Sequence, residues 1–137
     1  MAAYLLDTNI IYPIVKRNED GAELKAKIQG ILQKNDYILL SPVVFYEIAR
    51  GLYHKGTKEH FSFFKKLAGE FEWRDLTKNT WDAGAKLWAE CRKSGTPTGG
   101  GIDKDVLIAA QAKEHGAVVV TRNVKHFQYL GVAYETW

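Results

Sequence analysis

Cysteine is nearly absent: Cys91 stands alone in 137 residues and rules out an internal disulfide. Such a chain fits a reducing cytoplasm. Long hydrophobic runs are missing too. Nothing approaches the ~18 uninterrupted apolar residues of a membrane span. A secretory leader is not expected either, because Asp7 breaks the apolar start and no small-residue cleavage site follows. Repeats, low-complexity segments and linkers are lacking, and no Cys/His cluster calls for zinc. What remains is a soluble balance, 46% hydrophobic and 26% charged, with a net charge of +3 that tolerates an anionic partner without demanding one. The length fits one domain spanning 1–137.

Apolar strands alternate with helical patterns along the chain. Ala2 to Leu6 reads as a buried strand, followed by a helix from about Asn9 to Lys16. Glu19 to Gln33 places Leu24, Ile28, Ile31 and Leu32 at helical spacing. Tyr37 to Leu40 is a second strand, and Ser41-Pro42 supplies an N-cap and a first-turn proline for a helix through about Tyr53. Phe61, Phe64, Leu67, Ala68 and Phe71 form another helical stripe. A short strand is expected over Trp73 to Leu76. The next helix opens at Thr77, and its apolar face carries Trp81, Gly84, Trp88 and Cys91, so Cys91 is expected to be buried. GTPTGGG (Gly95 to Gly101) marks a bend near a site, and Asp103 to His115 is helical again. Ala117 to Thr121 is a further strand, and Val132 to Tyr134 a last one. The alternation predicts an α/β fold, a mainly parallel central sheet flanked by helices in three layers.

In such sheets ligands bind beyond the carboxyl ends of the strands. Asp7 ends the first strand in LLDTN. Glu47 lies one to two turns into the helix after the second strand, in the otherwise apolar VVFYEIARGL. Asp103 and Asp105 open the helix after the glycine loop, and Asn123 follows the fourth strand in VVVTRN. Each has a plain structural explanation: Asp7, Asp103 and Asp105 as helix caps, and Glu47 paired with Arg50 three residues on. Collected at one sheet edge, they instead form a cleft of mutually repelling carboxylates that a cation must neutralise.

LLDTN, SPVVFYEIARGL and DVLIAAQAKEHGAVVVTRNVKHF, together with the length, resemble the PIN domain family, and within it the VapC-type toxins of toxin–antitoxin pairs. The resemblance covers essentially the whole chain; from about Lys55 to Lys93 it extends only to helical character. It implies a Mg²⁺- or Mn²⁺-dependent endoribonuclease whose catalytic and metal-binding acids correspond to Asp7, Glu47 and Asp105. The fourth ligand place, usually Asp, is Asn123, which lowers the charge of the site by one. Asp103 has no fixed counterpart; it either compensates for Asn123 or, as preferred, caps its helix.

Hard carboxylate oxygens suit Mg²⁺ or Mn²⁺, which can activate water and polarise a phosphodiester. Asn9 and Thr121 are then expected to orient the ligands. Arg50, Lys104, Arg122 and Lys125 are candidates for RNA phosphates. His54, His60 and His115 are expected at the surface; His126, close behind Asn123, is a lesser candidate for facing substrate.

Two other readings compete. A haloacid dehalogenase-like phosphatase would use Asp7 as nucleophile, but it lacks its second acid at Asn9, and Asp103 follows a loop instead of a strand. A silent PIN-fold interaction module is disfavoured by the three acids. The resemblance further implies a cognate protein antitoxin, with operator DNA reached only through it. Phe63, which points away from Phe61, Phe64 and Phe71, and the Tyr46–Tyr53 stripe offer a groove for an amphipathic partner helix or a homodimer contact.

Overall fold

The computed structural model describes residues 1–96 and 102–137, the side chain of Ile102 excepted, so most of the expected glycine bend lies outside the described residues. Strand β1 (Ala3–Leu6) is followed by helices α1 (Thr8–Val15) and α2 (Gly21–Gln33). Then come β2 (Tyr37–Leu40), α3 (Pro42–Lys55), α4 (Lys58–Ala68), β3 (Glu72–Trp73) and α5 (Lys78–Lys93). The chain closes with α6 (Ile102–Glu114), β4 (Val118–Val120), α7 (Val124–Phe127) and β5 (Tyr134–Glu135).

The sheet order is β3-β2-β1-β4-β5, with every pairing parallel. Side chains alternate faces along a strand, yet Leu5 and Leu6 are both buried, as are Leu39 with Leu40 and Val119 with Val120. Both faces are therefore covered by helices, which is why these strands read as apolar runs without alternation. The expected α/β sandwich with a parallel centre is the observed one.

Local chemistry starts the helices where the sequence places them. Ser41 Oγ accepts from Val43 N–H at 3.2 Å with Pro42 in the first turn, and Thr77 and Thr80 form a reciprocal capping box. Ile48 and Phe64 carry α3 and α4 into the core with no exposed surface. On α5, Gly84 lies so close to α6 that a Cβ there would come within 2.9 Å of Leu107 Cδ2. Cys91 is buried as expected, and that burial raises its thiol pKa above the ordinary value. Trp81, expected on the same buried face, is instead 55% exposed because α6 covers Gly84 and leaves Trp81 beside a cleft.

Two strands differ from expectation. The third is Glu72–Trp73 in place of Trp73 to Leu76, and the fifth is Tyr134–Glu135 in place of Val132 to Tyr134. Both are exposed two-residue edge strands that present no burial pattern to read. The single-turn α7 has no counterpart in the sequence reading.

Candidate active site

From β1 the successive strands run outward to β3, and the chain then returns to place β4 on the other side of β1. The carboxyl ends of β1 and β4 therefore flank the point where strand order reverses, the usual ligand position in an open parallel sheet. Asp7 sits there, 1% exposed, its backbone N–H donating to Val120 O at 2.9 Å. Its Oδ1 accepts from Thr8 N–H at 2.8 Å and caps α1, while Oδ2 accepts from Thr121 Oγ1 at 2.8 Å. One carboxylate thus caps a helix and ties the end of β1 to Thr121.

Asn9 and Thr121 hold the two strand ends together. Arg122 N–H donates to Asn9 Oδ1 at 3.1 Å, and Asn123 N–H to Thr121 Oγ1 at 2.9 Å. Of the two, Thr121 touches an acid, whereas Asn9 bonds the Arg122 backbone.

Asp105 enters from α6 with no exposed surface. Burial raises its pKa, with the charge of Asp7 adding to the rise, against the opposing pull of His126 and Lys104. Its Oδ2 lies 2.5 Å from His126 Nδ1, and Nδ1 lies 2.7 Å from the Asn123 amide. The Asn123 amide nitrogen also donates to Asp105 Oδ2 at 3.4 Å, so His126 and Asn123 meet the same carboxylate oxygen. Asp105 Oδ1 is buried and has no hydrogen-bond partner. An orphaned carboxylate oxygen in the interior is costly.

Glu47 approaches from α3, its side chain 19% exposed. Burial pushes its pKa up, but Lys104, 2.7 Å from Oε1, outweighs that and leaves it below the ordinary value. The buried Thr8 hydroxyl lies near enough to contribute, without being aligned for a hydrogen bond. Arg50, the local partner weighed from sequence, stands at 3.9 Å and is mostly exposed.

Three placements correct the sequence reading. Lys104, expected to face RNA phosphates, points inward instead. Its Nζ also lies 4.0 Å from Asp7 Oδ1, because uncompensated carboxylates draw in the nearest cation. Arg122, expected at the same task, pairs with Asp20. His126 belongs to the acid cluster because α7 starts after Asn123 and carries it back toward Asp105. The available signal was the three-residue step from Asn123 to His126, one helical turn. His54 and His115 are exposed as expected and His60 is half-buried. Asp103 is exposed beside the cavity that Glu47 and Lys104 also line, and Lys125 is exposed on α7.

Among the described residues, no three His, Cys, Asp or Glu side chains converge closely enough to hold a metal ion in the present arrangement. Lys104 supplies the positive charge between Glu47 and Asp7 instead. Among the same residues, no helix is long and apolar enough to cross a membrane.

A curated protein from Rickettsia felis named Ribonuclease VapC2 is 27% identical over 136 residues, covering 98% of this chain and 97% of that protein. The crystal structure of VapBC2 from Rickettsia felis, bound to a promoter DNA fragment, superposes with a TM-score of 0.82 at 27% identity, covering 98% of each chain. DNA-bound VapBC from Salmonella typhimurium gives 0.81 at 24% identity, covering 100% of this chain and 99% of that one. The model of the PIN domain matches residues 4–131, which takes in every strand but the last and all the acids at the switch point, and the chain belongs to that family.

Proposed function

We propose that the protein is a metal-dependent endoribonuclease of the VapC type, the toxin of a toxin–antitoxin pair, which hydrolyses single-stranded RNA at the Asp7–Glu47–Asp105 cluster. The observation that carries this reading is Asp105 Oδ1, a buried carboxylate oxygen with no hydrogen-bond partner beside a second buried acid, in a PIN domain. The name of the Rickettsia felis relative supports the same reaction. The oxygen-only donor set of three carboxylates fits Mg²⁺ or Mn²⁺, with Asn123 alongside as a neutral oxygen donor. When bound, such an ion supplies an activated water and charge neutralisation for phosphodiester hydrolysis.

The chain's own residues set the stage for that chemistry. Thr121 fixes Asp7, and His126 fixes Asp105, so each acid is held before substrate arrives. Lys104 holds the carboxylates together until a cation takes over its charge. Arg50 and Lys125 remain exposed for phosphates. Purified protein with millimolar Mg²⁺ should cut single-stranded RNA internally, and chelator should stop it. RNA that stays intact under these conditions removes the nuclease reading.

Lys104 gives a separate test. Lys104→Gln should lower the melting temperature of the metal-free protein, since Glu47 and Asp7 lose their counter-charge, and should enlarge the rise produced by Mn²⁺. A variant that melts like wild type with and without Mn²⁺ would show that Lys104 does not stand in for a cation.

The antitoxin reading acquires a location. The aromatics proposed as one groove fall into separate clefts: Tyr46 faces α5 and α6, whereas Phe63 lines a cavity of about 320 Å³ with Ile14, Gly21 and Ala22. Arg17 and Lys25 lie 5.9 and 5.2 Å from the Phe63 ring. We place the partner helix in this second cleft, where a half-buried aromatic is rimmed by cations. Phe63→Glu should weaken the copurified complex by at least about 30-fold, as for an interface hot spot, with RNA cleavage unchanged. If the variant unfolds on its own, Phe63 is core; if it folds and the complex does not weaken, the partner helix lies elsewhere.

A further inference from the structure

We propose that His126 is itself a metal ligand: its Nδ1 joins Asp105 Oδ2 and the Asn123 amide oxygen around one divalent ion and makes the site favour Mn²⁺ over Mg²⁺. This rests on the metal-dependent ribonuclease reading above and goes beyond it by naming a nitrogen donor and the selectivity that follows from it.

Three polar atoms meet here. Asp105 Oδ2 lies 2.5 Å from His126 Nδ1, Nδ1 lies 2.7 Å from the Asn123 amide, and that amide lies 3.4 Å from Oδ2. Ligands at right angles and about 2.1 Å from an ion stand about 3 Å apart, so the triangle has the dimensions of one face of a coordination shell. Asp105 has no exposed surface, and its other oxygen, Oδ1, is buried without a hydrogen-bond partner. The His126 side chain is mostly buried as well, 24% exposed.

Protons cannot satisfy all three edges of this triangle. Nδ1 carries either one hydrogen or one lone pair. With the hydrogen it suits Oδ2 but faces the hydrogens of the Asn123 amide. With the lone pair it suits the amide but meets Oδ2 acceptor to acceptor at 2.5 Å. A cation resolves the conflict. Once the amide turns to offer its oxygen, Oδ2, Nδ1 and Asn123 all present lone pairs to one positive centre. The Lys104 ammonium is engaged elsewhere, 2.7 Å from Glu47 and 4.0 Å from Asp7. The nitrogen then decides which ion is held. Imidazole is a donor that divalent transition ions accept readily, whereas Mg²⁺ prefers oxygen and sheds its water reluctantly.

The test uses the whole protein with Mn²⁺ or Mg²⁺ alone. With one equivalent of Mn²⁺, pulsed electron paramagnetic resonance of the wild type should show coupling to a directly bound imidazole nitrogen. His126→Gln should lose that coupling, although the exposed His54 and His115 remain. By calorimetry His126→Gln should bind Mn²⁺ about 10-fold more weakly than wild type, with its affinity for Mg²⁺ level. A residue that only orients Asp105 would lower both affinities alike, so an equal loss overturns the proposal. Mn²⁺-bound wild type without nitrogen coupling also overturns it, whether or not the variant folds. Wild type that cuts RNA in Mg²⁺ yet shows no nitrogen coupling loses this ligand and keeps the ribonuclease reading. Nitrogen coupling without any cleavage upholds the ligand and defeats the ribonuclease reading alone. A wild type that binds neither ion defeats both.

Discussion

Asp105→Asn should lower cleavage of single-stranded RNA by about 100- to 1,000-fold, the scale of losing one preorganised charge-stabilising group, while the protein still folds. The two effects separate because Asp105 is a liability to the fold. It is fully buried, its pKa is raised by burial and by Asp7, and one oxygen has no partner. A neutral amide of the same shape relieves the desolvation and the repulsion. The melting temperature without metal should therefore stay level or rise. Asp7→Asn and Glu47→Gln should abolish activity to a similar degree. Asp103→Asn should be much milder, since Asp103 is exposed to solvent where Asp7 and Asp105 are buried. Gel-resolved cleavage and thermal melts of the four variants decide the matter. An inactive Asp103→Asn beside an active Asp105→Asn would show that the third ligand is misassigned.

Millimolar Mn²⁺ should raise the melting temperature of the metal-free wild type. An ion at 100 times its Kd stabilises by about 2.7 kcal/mol, or roughly 10 °C for a domain of this size. Asp105→Asn and Glu47→Gln should lose most of that gain. The sign with pH follows from Asp105. Its raised pKa means that protons occupy the carboxylate at higher pH than usual, in competition with the metal. The increment should shrink as pH falls, beginning above the ordinary carboxylate range. A melting temperature indifferent to Mn²⁺ and to chelator at neutral pH would overturn the metal site.

The parts of this site that were legible in the sequence are those whose signals are local. Asp7 and Asn123 follow apolar strands that are buried on both faces, so each acts as an abrupt polar stop. Asp105 stands out in the first turn of an apolar helix. The Glu47–Lys104 contact spans 57 residues and obeys no i, i+3 or i, i+4 rule, so Arg50 was the only partner in local view. His126 was missed because α7 is four residues long, too short for a hydrophobic period. Trp81 was misplaced for another reason. Helical spacing shows that Trp81, Gly84, Trp88 and Cys91 share a face, but not how far along it the neighbouring helix reaches.

The central position of β1 has a consequence for synthesis. Thr121, which clamps Asp7, lies 114 residues further along the chain, and β4 must slot in beside the strand made first. At about 5–20 residues per second, the ribosome needs roughly 6–23 s to make that stretch. Throughout that interval β1 lacks its β4 neighbour, and neither Asp105 nor His126 yet exists for most of it. Long-range closure of this kind is intrinsically slow. A nascent or truncated chain ending before Thr121 therefore carries the three acids without the hydroxyl that clamps Asp7 or the imidazole that meets Asp105.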